Sequence, residues 1–194
     1  MSSALTSKTQ VMNSALRKLG AESITSPSDN SNRARLVSAS YEIQLEKLLT
    51  AHPWNKAIDY VELAAIDPTP DDLYEYSYAF QLPTDCLRVL STSAGSRECW
   101  EEVSDRRLVA DVSEITVKHI KKVEDVSKLG AQFCEALAWQ IAFDLAYSFT
   151  QSASMVQLCK DESEKAIRTA RSFDAQVGSV KTVEANDWLD ARHY

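Results

Sequence analysis

Three histidines, four cysteines and a few placed carboxylates are the residues of this chain whose types could do chemistry. His52, His119 and His193 stand apart, with no HExxH, HxxxH or CxxC neighbour that would build a metal site. The cysteines at 86, 99, 134 and 159 show no CxxC spacing, so zinc and dithiol chemistry are not expected. Cys134 and Cys159 fall at helical core positions, where a free thiol serves as a small hydrophobe. Asp67, Asp71 and Asp72 lie in a proline-rich turn without EF-hand spacing. Asp144 interrupts an apolar helix and is the carboxylate placed for burial. A raised-pKa catalytic acid there would need a partner that the sequence does not supply, so a salt bridge or a subunit contact fits it better. The four glycines, at 20, 95, 130 and 178, form neither GxGxxG nor a Walker A loop, and there is no GxSxG elbow. The pattern points away from an enzyme, and no catalytic, cofactor or metal residues are expected.

Charge narrows the partners. The 194 residues carry a formal net charge of −7, with 44% hydrophobic and 25% charged residues. A protein that grips nucleic acid through phosphates needs a basic surface, whereas an acidic wall lets DNA pass without sticking. Arg106, Arg107, Lys118, Lys121 and Lys122 form a modest basic patch within the strand region. The opening stretch MSSALTSKTQVMNS has no apolar core of secretory type, so synthesis in the cytoplasm without export by that route is expected. Four cysteines in a chain of this length do not make a disulfide scaffold.

The elements that would position these residues follow from periodicity. Gly130 to Thr150 reads as one long helix that is apolar on most sides, through Phe133, Leu137, Trp139, Ile141, Phe143, Leu145, Tyr147 and Phe149. Such a helix must sit inside its own domain or a subunit ring. It lacks the uninterrupted apolar run of a membrane span. Before it come an amphipathic helix over 5–19, stopped by Gly20, and a second helix from about Asn32 to Ala51. The second carries the stripe Ala34, Val37, Tyr41, Leu45, Leu48 and Leu49 and is ended by Pro53. Trp54 just beyond is placed to staple that helix end, provided its indole N–H finds an acceptor. From Lys56 to Val123 short β-branched or alternating runs are separated by turn residues, which predicts antiparallel strands. A fourth helix, about Ser154 to Val177, carries a heptad-like stripe of Val156, Cys159, Ser163, Ala166, Ala170, Phe173 and Val177. The expected architecture is therefore α+β. Residues 1–55 and 124–177 would form a four-helix bundle, with an antiparallel β insertion, 56–123, between the second and third helices. Residues 178–194 would be a C-terminal docking tail, with Val180, Val183, Trp188, Leu189 and Tyr194 as apolar points in a polar stretch.

Several of these stretches resemble the head-to-tail adaptor, or tail tubular protein A, of short-tailed bacteriophages. Val11 to Ala21 is similar to the family's opening helix and its glycine stop. Leu48-Leu49 followed by His52-Pro53-Trp54-Asn55 is similar to its helix end, and Tyr76 through Val89 to its strand–turn–strand signature. Ala136 through Ala146 resembles its third helix in character; Lys56 stands where an apolar or aromatic residue would be expected. The resemblance implies a virion structural protein at the head–tail junction, with no cofactor and no membrane. It would form a homo-oligomeric ring of twelve copies beneath the portal protein. That ring would continue the DNA channel, without specific binding, and present a platform to a tail nozzle similar to tail tubular protein B. On that reading Trp188, Leu189 and Tyr194 are candidates for docking on the portal. Arg106, Arg107, Lys118 and Asp144 are candidates for the nozzle-facing or inter-subunit surfaces.

Two other classes compete. A DNA-packaging or DNA-binding accessory protein would show a gel shift whose affinity falls steeply with salt. A small enzyme with an unrecognised carboxylate site would show a deep pocket of convergent titratable groups.

Overall fold

The computed structural model describes residues 7–66, 75–96 and 99–177. Its elements run α1 (Lys8–Lys18), α2 (Asn32–Ala51), β1 (Ile58–Ala64), β2 (Tyr78–Gln81), β3 (Cys86–Thr92), β4 (Trp100–Val103), β5 (Arg107–Ala110), β6 (Glu114–Lys121), α3 (Ala131–Thr150) and α4 (Ala153–Val177).

Local chemistry sets the helix ends. Ser7 and Gln10 form a reciprocal capping box at the start of α1. At its other end the N–H of Gly20 reaches the Arg17 carbonyl and that of Ala21 the Leu16 carbonyl, a Schellman closure. It requires the left-handed φ of +70° at Gly20. Ser31 caps α2 by accepting from the Ala34 N–H. The side-chain amide of Asn13 pairs with both the carbonyl and the N–H of Ile24, at 2.9 and 2.8 Å, and so ties the α1–α2 connection to α1.

The helices do not make the expected four-helix bundle. In such a bundle each helix turns one stripe toward a shared axis. Here α3 is buried around most of its circumference, through Phe133, Cys134, Ala136, Leu137, Ala138, Ile141, Ala142, Leu145 and Ala146. It therefore occupies the axis itself. α4, α1 and α2 each pack on α3, while α1 and α2 touch each other only slightly. α2 and α4 run antiparallel to α3: Ser40 meets Asp144 while Trp54 meets Phe133, and Ser163 meets Gln140 while Asp174 lies beside Phe133. The α4 stripe is only partly covered. Cys159, Ser163 and Ala170 are buried, but Phe173 and Val177 are 49% and 68% exposed.

The strands correct the expectation of a single β insertion as well. They form two three-stranded antiparallel sheets, ordered β1-β6-β3 and β2-β5-β4, and the chain passes between the two. A separate core lies between the sheets, built from Phe80, Leu82, Cys86, Val89, Trp100, Leu108, Ala110, Ile115 and Val117. The first sheet has two working faces because side chains alternate. Val61, Leu63, Ile115 and Val117 point to the second sheet, while Ile120, Leu87 and Leu90 join the helical core. Period-two patterning located the strands. Their partition into two sheets depends on long-range pairing that alternation does not encode.

Candidate functional site

The residues singled out by sequence do not converge on one place. Asp144 is exposed rather than buried, and its Oδ2 accepts from the buried Ser40 hydroxyl at 2.6 Å. It lies on the side of α3 bordered by α2, where a carboxylate reaches solvent. Trp188, Leu189 and Tyr194 lie outside the described residues, as does the acidic turn with Asp67, Asp71 and Asp72.

The basic patch is dispersed. Arg106 sits in the turn between β4 and β5, Arg107 opens β5 of the second sheet, and Lys118 and Lys121 belong to the first. Asp105 and Arg106 take left-handed φ values of 59° and 57° at the turn between β4 and β5. The Arg106 guanidinium donates to the carbonyls of Pro83 and, at 2.9 Å, Cys86. The Gln81 side chain and the Leu82 N–H hold the same turn through the Asp105 and Arg106 carbonyls. Arg106 is thus a clamp on a strained hairpin. Arg107 is half-buried and lies 3.8 Å from the Asp105 carboxylate. Lys121 bridges Asp59 and Asp85 at 3.1 and 3.4 Å. Its ammonium holds the Asp59 carboxyl below the ordinary carboxylate value, helped by the Tyr60 N–H. Lys118 sits over the Tyr60 ring, 5.7 Å from its centroid.

His52 and Trp54 form a clip between layers. The Trp54 ring is buried edge-on against His52 and Phe133, and its N–H donates to the Leu48 carbonyl at 2.8 Å. Asp174 on α4 accepts from both the backbone and side-chain N–H groups of Asn55 and lies 3.4 Å from the His52 ring nitrogen. Lys56 is exposed and reaches toward Gly130, the left-handed residue that opens α3. Among the described residues no three His, Cys, Asp or Glu side chains are grouped to hold a metal ion. Nor is any described helix long and apolar enough to cross a membrane.

What sequence reading missed is surface. The recess with the largest volume described, about 450 Å³, opens on the first sheet over Glu62, Leu63, Ala64, Ser93, Glu114, Ile115 and Thr116. A second of about 240 Å³ adjoins it over Tyr60, Ser91, Thr92, Ser93, Thr116 and Lys118. On this face the strand register lines up Tyr60 with Lys118 and Ser91, then Glu62 with Thr116, then Ala64 with Glu114. Alternation along β1 and β6 signals this polar face. The helices cover its far end at Ile120 and part of its β3 edge at Leu87 and Leu90. On α2, Leu36, Ala39 and Ile43 form an open seam away from the buried stripe. Comparisons with protein-family models and with curated proteins found no match.

Proposed function

We propose that this chain is a virion structural protein, a head-to-tail adaptor of a short-tailed bacteriophage. Its copies close into a ring that joins the portal to the tail nozzle and continues the DNA channel. The observation that carries the reading is unspent apolar surface on four different elements. Leu36 and Ile43 on α2, Tyr60 on β1, Tyr147 on α3, and Leu158, Phe173 and Val177 on α4 are all exposed. A closed ring is built from heterologous contacts, in which each copy offers two different patches. Apolar groups spread over separate elements supply such patches, whereas a single cleft serves one ligand. The acidic balance of the chain suits a lumen that DNA traverses without being held. The resemblance carried by His52-Pro53-Trp54-Asn55 and by Leu82-Pro83-Thr84-Asp85 supports the same reading. Residues 178–194, with Trp188, Leu189 and Tyr194 as anchors, dock on the portal in this proposal.

Electron microscopy of the protein mixed with the portal protein of the same genome tests it. A closed annular density beneath the portal is expected. Isolated single copies with the portal left bare would end the reading. Deleting 178–194 should abolish portal binding, and undiminished binding would remove the docking role of that segment.

A further inference from the structure

We infer that the open seam of α2 in one copy packs against the open face of the first sheet in the next copy, a head-to-tail contact between identical chains. The inference rests on the ring reading above and names its two surfaces. On α2 the seam is Leu36, Ala39 and Ile43, at positions i, i+3 and i+7, exposed while the opposite stripe is buried. A second apolar seam at helical spacing serves no purpose within the subunit. On the sheet, the face of β1, β6 and β3 presents Tyr60, 64% exposed, above two adjoining recesses.

Shape, size and charge favour a second copy as the occupant. A helix is a convex rod about 10 Å across, and three strands make a face roughly 10 Å wide. The seam from Leu36 to Ile43 spans about 10 Å, and the face from Tyr60 to Ala64 about 13 Å. On the sheet, Glu62 and Glu114 have no ion-pair partner among the described residues, and Lys118 is drawn over Tyr60. On α2, Glu42 is paired with Lys8, while Arg35 and Lys47 have no ion-pair partner among the described residues; Glu46 is the acid left on that face. The α2 face is thus net positive and the sheet face net negative. They belong to different layers and share no residue, as a heterologous contact demands.

The test uses the full chain with exposed Cys99 replaced by Ser. One preparation carries Ile43→Cys and a second carries Tyr60→Cys. Mixed and mildly oxidised, they should give a disulfide-linked pair that neither gives alone. Reversing Arg35→Glu and Lys47→Glu in the first should remove the product, and adding Glu62→Lys and Glu114→Lys to the second should restore it. Three results would overturn the pairing: no product from chains with native circular dichroism, a product from the Ile43→Cys chain alone, or indifference to charge reversal. Wild-type rings seen on the portal together with any of these leave the adaptor reading standing and remove only this contact. Absence of rings removes the reading beneath it.

Discussion

The indole N–H of Trp54 turns back onto the Leu48 carbonyl, 2.8 Å away, and so caps the helix that precedes it in the chain. Leu48 is one of the last four residues of α2, whose carbonyls have no partner within the helix. Thr50, two residues on, is served by the Arg88 guanidinium from β3 at 2.8 Å. The α2 terminus is therefore closed by one group from the helical layer and one from the sheet. Trp54→Phe should retain the packing on Phe133 and lose the cap, at a cost of about 1 kcal/mol. Trp54→Ala should cost about 3–5 kcal/mol, because it also empties a buried ring site. Urea denaturation of both variants measures the gap; a Trp54→Phe variant as stable as wild type would show that the hydrogen bond contributes nothing, and equal losses would show that the ring packing adds nothing to it.

The β4–β5 turn gives a second, signed prediction. Arg106→Gly relieves left-handed strain of roughly 1–2 kcal/mol but removes two donors to backbone carbonyls. Arg106→Ala removes the same donors and keeps the strain. Alanine should therefore be the more destabilising change by about 1 kcal/mol. Thermal melts of the two side by side decide it, and a glycine variant no better than alanine would mean that the left-handed backbone at 106 carries no strain.

Thiol chemistry should sort by burial. Cys134 is buried and donates to the Val126 carbonyl, and burial pushes its pKa up to about 11. Burial also raises the thiols of Cys86 and Cys159. Cys99 is exposed. Because the thiolate is the reactive form, alkylation of the native protein at pH 8 should label Cys99 alone, and the others only with denaturant. Peptide mass spectrometry reads this directly. Early labelling of Cys134 would mean that the α3 core opens far more readily than its packing implies.

The Asp59–Lys121 pair predicts a pH window. The folded Asp59 carboxyl lies below its ordinary value of 3.8, lowered first by the Lys121 side chain and then by the Tyr60 N–H. A depressed carboxylate contributes stability above its unfolded pKa and loses it as pH falls through the folded value. Asp59→Asn should therefore lower the urea midpoint at pH 7, and the difference should shrink as pH falls through the folded value, below which both proteins carry a neutral side chain. Lys121 is raised above 10.5 by Asp59 and Asp85, so its share disappears only as pH rises through the folded value. A wild-type advantage that did not shrink as pH fell would show that the pair acts by packing and not by charge.

Which features were legible in advance follows from how far each signal reaches along the chain. Gly20, Pro53 and Gly130 act on their immediate neighbours, so those helix ends could be read closely, whereas the first helix, expected from residue 5, begins at Lys8 behind the Ser7–Gln10 box. The α2 stripe from Ala34 to Leu49 is likewise a local periodicity, and every member is buried. Sheet membership is not local. β1 pairs with β6, fifty or more residues away, and nothing in Ile58–Ala64 names that partner. The same limit misplaced Asp144: apolar neighbours in sequence suggested burial, but α2 meets that part of α3 through Ser40 and leaves the carboxylate in water. The basic residues read as one patch because they are near in sequence, yet two sheets divide them. Leu36 and Ile43 were passed over because a helix with one good stripe does not prompt a search for another.

The position of α3 at the axis governs the order in which a newly made chain can mature. α1 and α2 emerge from the ribosome first, and the helix they pack on follows about eighty residues after α2 ends. The two sheets carry their own core and have all their strands once β6 is out, so they can close while the first two helices still wait. Synthesis thus leaves the apolar stripes of α1 and α2 without their seat until residue 150 has been added, the interval in which a chaperone has most to cover.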